Sequence, residues 1–299
     1  MKILGTYKNG NYTVTIFDDG TKIRENDLDN LTPDTVESMD IKITNSCDMG
    51  CSFCHEDSKP NGKHGDILSP SFLDKLHPYT ELAIGGGNVL EHPDFDEFLS
   101  RCKERKFIPS ITLNQVHFER DFDRVKKMVD DKLIYGLGVS LFNPSDEFIK
   151  KVEQFPNAVI HVINGVVTLD QLKKLAHHNL KILILGYKEF RRGLDYMSAY
   201  ENTILKNKTD LYNTLPEIIE DDWFKVVSFD NLSIKQLNPK RLMSDEDWNQ
   251  FYMGDDGEFT MYVDMINRVF AKNSCEPLNK RYPLFDTIEE MFNYLKGDI

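Results

Sequence analysis

Cys47, Cys51 and Cys54 stand within eight positions of one another, spaced three residues and then two. Thiolates are soft ligands that suit iron–sulfur clusters and zinc. A [4Fe–4S] cluster usually takes four cysteines, so a set of three leaves one iron without a protein ligand. An open position on a metal centre generally serves chemistry, whereas a closed one serves structure. The same three thiols with His55 or His64 also compose a Cys3His set, which would make a zinc-stabilised binding protein. The two remaining cysteines, Cys102 and Cys275, are far apart in the chain. Five cysteines distributed in this way do not form a disulfide framework, and thiols kept free for metal point to the reducing cytoplasm. Cys102 falls on an apolar helical face and reads as a small buried hydrophobe. Cys275 reads the same way.

The elements that position these residues follow from hydropathy patterning. Ile41-Lys42-Ile43-Thr44 alternates as a short strand and runs directly into the cysteine loop. Downstream, strand-like and helix-like segments alternate. Strands are expected at 81–84, 108–113, 135–142, 158–167, 181–185 and 224–229. Helices are expected from about 69, at 94–106, 119–131, 145–153 and 168–178, and over much of 188–222. Thr168 with Gln171 three residues later has the form of a capping box. Such βα units imply a parallel sheet, here a full or partial barrel, and in barrels function collects at the C-terminal ends of the strands. The cysteine loop follows strand one, the run Gly85-Gly86-Gly87-Asn88 follows strand two, and Asn114 ends strand three. Ser140 comes late in strand four and Asn164-Gly165 late in strand five.

The flanks differ. Asn9-Gly10 and Asp19-Gly20 are turn dipeptides around an alternating run, so residues 1–37 read as a β-hairpin appendage. From 236 to 299 the character changes to a C-terminal α/β extension, with a strand expected over 260–270 and a helix over 288–295. Its acidic turn, Asp255-Asp256-Gly257-Glu258, lacks the spacing of a calcium loop.

Composition sets limits. The 299 residues carry a formal net charge of −13, which disfavours a nucleic-acid partner. No apolar run is long enough for a membrane span, and the polar N-terminus does not read as a signal peptide. The basic groups at 103–106 and 188–192 read as solvated faces. Arg191 and Arg192 are also candidates to face an anionic substrate group, and His92, His117 and His161 to line a cavity.

Cys-x-x-x-Cys-x-aromatic-Cys after the first strand resembles the signature of the radical SAM enzymes. The resemblance covers about residues 38–235, with the order and spacing of the later strand ends in support. It implies a partial (β/α)6 TIM-like barrel and two cofactors, a [4Fe–4S] cluster on Cys47, Cys51 and Cys54 and S-adenosylmethionine (SAM). By the same resemblance Phe53 occupies an aromatic position near the adenine. Gly85, Gly86, Gly87 and Asn88 resemble the Gly-Gly-Glu-Pro motif that holds the methionyl amine, with Gly87 and Asn88 standing where the family has Glu-Pro. His92-Pro93 follows as a His-Pro pair does in the family. Asn114, Ser140 and Asn164 fall near the family's other SAM contacts. The implied activity is reductive cleavage of SAM to a 5′-deoxyadenosyl radical that takes hydrogen from a substrate. The expected partners are a small metabolite or nucleotide and an electron donor such as flavodoxin or ferredoxin. A peptide or protein substrate is the alternative.

Overall fold

Alternating polarity builds the first layer of the chain. The structure, a computed structural model, describes residues 1–28 and 30–297. Three antiparallel strands open it: β1 (Ile3–Asn9), β2 (Tyr12–Phe17) and β3 (Lys22–Glu25). Gly10 and Gly20 take positive φ at the two turns, as Asn-Gly and Asp-Gly pairs favour. The expected hairpin is thus a three-stranded meander. Lys22-Ile23-Arg24, which reads as the end of a return strand, lies in the short third strand. Tyr12, Val14 and Ile16 face a small core of their own.

The main sheet follows. Its strands are β4 (Ser38–Thr44), β5 (Glu81–Gly86), β6 (Ile108–Asn114), β7 (Gly136–Ser140), β8 (Ala158–Ile163), β9 (Lys181–Leu185) and β10 (Val226–Phe229). These seven lie side by side in chain order and all run parallel. The crossover helices include α1 (Ser71–Asp74), α2 (Phe95–Glu104), α3 (Gln115–Arg120) and α4 (Phe122–Asp130). Next come α5 (Asp146–Val152), α6 (Leu169–Leu175) and the long α7 (Arg192–Glu220), which bends at Tyr200. The capping box of Thr168 and Gln171 is present at α6. The helices bury one face of the sheet: Met39, Ile41 and Ile43 of β4 join Leu82, Ile84, Ile111, Val139 and Ile160 in one continuous core.

After α8 (Asn231–Leu237) and α9 (Asp245–Phe251), the last part of the chain returns to the sheet. β11 (Thr260–Asp264) pairs parallel with β4, so an eighth parallel strand flanks the first one. β12 (Val269–Ala271) and β13 (Tyr282–Pro283) extend this edge antiparallel, and α10 (Ile288–Lys296) closes the described chain. The single strand expected over 260–270 is therefore a hairpin. The break lies at Asp264, whose Oδ1 accepts from the backbone N–H groups of Ile266 and Asn267 and folds the chain back. The ten-stranded order ends at β10 on one side and β13 on the other, an open sheet of the partial-barrel kind.

Candidate active site

The cysteine loop is tied to itself before anything else holds it. Beyond β4, Asn45 N–H donates to Lys63 O (2.8 Å), Cys47 N–H to Lys59 O (3.0 Å) and Lys59 N–H to Asn45 O (3.0 Å). Gly62 permits this closure, since a Cβ there would stand 2.0 Å from Asn45 O. Cys47, Cys51 and Cys54 are each half-buried. Burial first, and then the charge of neighbouring thiolates, push the Cys47 and Cys51 thiols up.

A second set of contacts comes from the loop between β9 and α7. Arg192 donates from its guanidinium to Cys51 O (3.0 Å) and Ser58 O (2.5 Å). Its Nε lies 3.0 Å from Asp57 Oδ1 without hydrogen-bond geometry. Arg191 donates to His55 O (3.1 Å) and reaches Glu56 (3.4 Å). Its backbone sits at φ +52, a conformation that a non-glycine residue holds only when its surroundings impose it. The expectation that this pair could face an anionic substrate is corrected here: both guanidiniums are spent on the cysteine loop. Lys188 Nζ bridges His55 Nε2 (3.3 Å) and Ser274 Oγ (2.9 Å), joining the loop to the C-terminal segment. Burial alone would push the Glu56 carboxyl up. His55 and Lys42, the latter 2.5 Å away, more than offset that and hold it below the ordinary range.

On the other flank, His117 Nε2 lies 2.5 Å from Asp48 Oδ1, and Arg120 donates to Oδ2 at 2.8 Å. These two hold the Asp48 carboxyl down to about 2. Ser46 donates to Glu91 (2.7 Å), and Asn88 also donates to Glu91 (3.1 Å). His117 therefore braces the loop rather than lining a cavity. His92 is buried, with Nε2 2.8 Å from Gly65 O and Nδ1 accepting from Asp94 N–H, and is likewise structural.

The glycine run meets this loop directly. Gly87 N–H donates to Thr44 O and Asn88 N–H to Ser46 O, both at 2.7 Å. A Cβ at Gly86, which holds φ +119, would stand 2.3 Å from Thr44 O, and one at Gly87 would stand 2.1 Å from Ser46 O. Gly85 has open space where its Cβ would be. The close approach to the cysteine loop thus falls on Gly86-Gly87. Asn88 is buried and occupied, accepting from Leu90 N–H while donating to Glu91.

Asn114, Ser140 and His161 are register partners across β6, β7 and β8, so they form one row at the C-terminal edge of the sheet. Asn114 caps α3 through Val116 N–H. Asn164 is buried, donates to Gln236 (3.0 Å) and has a side-chain oxygen without a partner. Phe53 packs edge-on against Tyr196 at 5.7 Å.

The inner face of the sheet reverses the usual logic of a core. Asp40 and Ala83, opposite each other on β4 and β5, are both accessible in mid-strand. Ser110, Thr112, Ser140 and His161 are half-buried on the strands beyond. The His161 ring leans over Gly138, and burial holds it neutral, with a pKa of about 4. Sequence reasoning passed over Asp40. The signal was an acidic residue beside Ile41 in a strand whose other face is apolar.

A tetrahedral zinc centre with bonds of 2.0–2.3 Å needs its ligand atoms about 3.3–3.8 Å apart. Among the described residues, the ligand atoms that converge within 4.8 Å belong to Cys47, Asp48 and His117. The three cysteines and a histidine do not gather that tightly, so a single-ion Cys3His centre does not fit. Three half-buried cysteines on a braced loop, beside a glycine run with open space at Gly85, do fit a larger group.

No protein-family model matches the chain. A protein named probable GTP 3′,8-cyclase from Methanocaldococcus jannaschii is 25% identical over 138 residues, which are 44% of this chain and 44% of that protein. Its namesake from Methanosarcina mazei is 22% identical over 195 residues, 61% of this chain and 57% of that protein. The chain thus spans about half the length of these curated relatives. Among solved structures, SuiB of Streptococcus suis superposes with a TM-score of 0.54 at 12% identity, over 91% of this chain and 82% of SuiB. SuiB bound to S-adenosylmethionine gives 0.53 at 15% identity, over 81% and 61%. SuiB bound to its precursor peptide SuiA gives 0.51 at 14% identity, over 82% and 61%. The fold is that of the radical SAM enzymes. In sequence, over about half of their length, the chain is similar to the two proteins named probable GTP 3′,8-cyclase, and in fold to SuiB.

Proposed function

We propose that this chain is a radical SAM enzyme that holds a [4Fe–4S] cluster on Cys47, Cys51 and Cys54. SAM would be bound beside it and hydrogen abstracted from a substrate in the lumen. The observation that carries this reading is the meeting of the braced three-cysteine loop with the Gly86-Gly87 backbone at one end of an open parallel sheet. When bound and reduced, the cluster supplies the electron that cleaves SAM to a 5′-deoxyadenosyl radical.

The protein's own residues do the rest. Gly86 and Gly87 bring bare backbone close to the loop, leaving space beside Gly85 for the methionyl end of SAM. The free oxygen of Asn164 and the Asn114–Ser140 row line the far side and suit the nucleoside end. Phe53, steadied by Tyr196, bounds the cavity on the side of the cysteine loop and helps exclude water. A one-electron donor such as flavodoxin or ferredoxin is the expected partner. The substrate is read as a small molecule. A peptide is the second reading, favoured by the fold shared with SuiB, which binds a precursor peptide.

The test is direct. Protein purified without oxygen should be brown, carry iron and sulfide, and release 5′-deoxyadenosine when given dithionite and SAM. Cys51→Ala should abolish both iron and product. A colourless protein carrying one zinc, or full activity in Cys51→Ala, would overturn the reading.

A further inference from the structure

Among the described residues, the Asp40 side chain is a carboxylate of the sheet's inner face with no hydrogen-bond or ion-pair partner. It lies on β4, exposed in mid-strand. Its charged neighbours are Lys188, Asp230 and Asp256: three carboxylates, counting its own, against one ammonium. Asp230 is satisfied by the backbone N–H groups of Gly186 and Ser233, and Asp256 by the amides of Asn231 and Asn273. Lys188 is already committed to Ser274 and His55. Desolvation, the largest cause, raises the Asp40 carboxyl from 3.8 to about 6; the Lys188 charge pulls it down, and Asp256 and Asp230 push it up.

The nearby cations are spent elsewhere. Lys42 is locked between Glu56 (2.5 Å) and Asp264 (3.6 Å). Arg191 and Arg192 hold the cysteine loop. Arg281 donates to the backbone carbonyls of Ser274 and Glu276. A triphosphate entering here would meet unpaired negative charge and no uncommitted cation, a costly burial. An amine or guanidinium would meet the opposite. The position is also apt, because Lys188, whose charge acts on Asp40, touches His55, the neighbour of Cys54.

We propose that the lumen takes a substrate presenting an amine or guanidinium group, received by Asp40, and does not take a nucleoside triphosphate. This deepens the radical SAM reading given above and rests on it. It separates this chain from a GTP-type substrate despite the sequence similarity to proteins named GTP 3′,8-cyclase.

The experiment is equilibrium dialysis of the cluster-loaded protein at pH 7.5, above the Asp40 titration, with agmatine and GTP as probes. Agmatine should be retained and GTP should not. Asp40→Asn should weaken agmatine binding at least tenfold, while Asp40→Glu should stay within about threefold of the parent. Asp40→Asn removes an unpaired charge, so it should melt no lower than the parent and the comparison remains one of folded proteins. Failure of the parent to bind agmatine, tighter binding of GTP than of agmatine, or unchanged agmatine binding by Asp40→Asn would each overturn the proposal. Formation of 5′-deoxyadenosine from SAM and dithionite, without agmatine, is measured in parallel. Its absence would count against the radical SAM reading and leave the dialysis result standing.

Discussion

Replacing Arg192 by alanine should loosen the cysteine loop without unfolding the protein. The guanidinium makes two hydrogen bonds to loop carbonyls, at Cys51 and Ser58. A bond from a charged donor contributes about 1.5 kcal/mol at the low end, so the two together contribute about 3 kcal/mol. The contact with Asp57 adds little, because that carboxylate is 40% exposed and an exposed ion pair is worth under about 1 kcal/mol. A loss of about 3 kcal/mol shifts the equilibrium between closed and open loop by about 100-fold. If iron leaves through the open loop, a ferrous chelator should strip it about 100 times faster from Arg192→Ala than from the parent. Arg192→Lys keeps the charge and one bond, and should lie near a tenfold increase. Absorbance of the iron–chelator complex gives the rate, and circular dichroism should show nearly unchanged melting. An unchanged stripping rate, or a fall in melting temperature that accounts for the whole effect, would refute the reasoning.

Other outcomes follow from the same contacts. Gly85→Ala should leave the melting temperature unchanged, whereas Gly86→Ala, strained at φ +119 and crowded by Thr44 O, should cost about 1–3 kcal/mol by denaturant titration. Equal stability of the two variants would show that the close approach is misplaced. Asp40 titrates near 6 in the folded protein and near 3.8 when unfolded, so the folded state binds more protons between these values. Its contribution to stability is therefore greatest below about 4 and is lost as pH rises through about 6. The difference in urea midpoint between Asp40→Asn and the parent should grow in favour of the variant across that window, and a flat difference would contradict it. Glu37 is fully buried and gathers Arg24, Lys22 and Tyr12. Glu37→Gln should destabilise the protein by about 3 kcal/mol while leaving cluster content per folded molecule unchanged. A change below about 1 kcal/mol would mean that this ion cluster does not anchor the N-terminal sheet.

Helix starts and strand faces were more legible in the sequence than the contacts that brace the cysteine loop. Local patterns carry far: the alternation Ile41-Lys42-Ile43-Thr44 marks a strand with one apolar and one polar face, and Thr168 with Gln171 marks a helix start that the structure contains. Long-range pairings leave no such trace. Arg191 and Arg192 read as two surface charges because their partners, Cys51, His55 and Ser58, belong to a loop far earlier in the chain. Which glycines of the run cannot carry a Cβ shows only in the approach of β5 to the end of β4. β11 looked like part of a separate extension, since nothing in Thr260–Asp264 announces that it lies beside β4.

That last pairing has a bearing on how the molecule is made. β4, which leads into the cysteine loop, has β5 on one side, and its other side must wait for a strand near the far end of the chain. On the ribosome, the loop and its arginine clasp can assemble once α7 has emerged, but one flank of β4 stays bare until residue 264 has cleared the exit tunnel. Its unpaired N–H and C=O groups are in that interval a template for any passing strand. Newly made chains should therefore be most prone to clump, and most dependent on chaperones, late in translation rather than early.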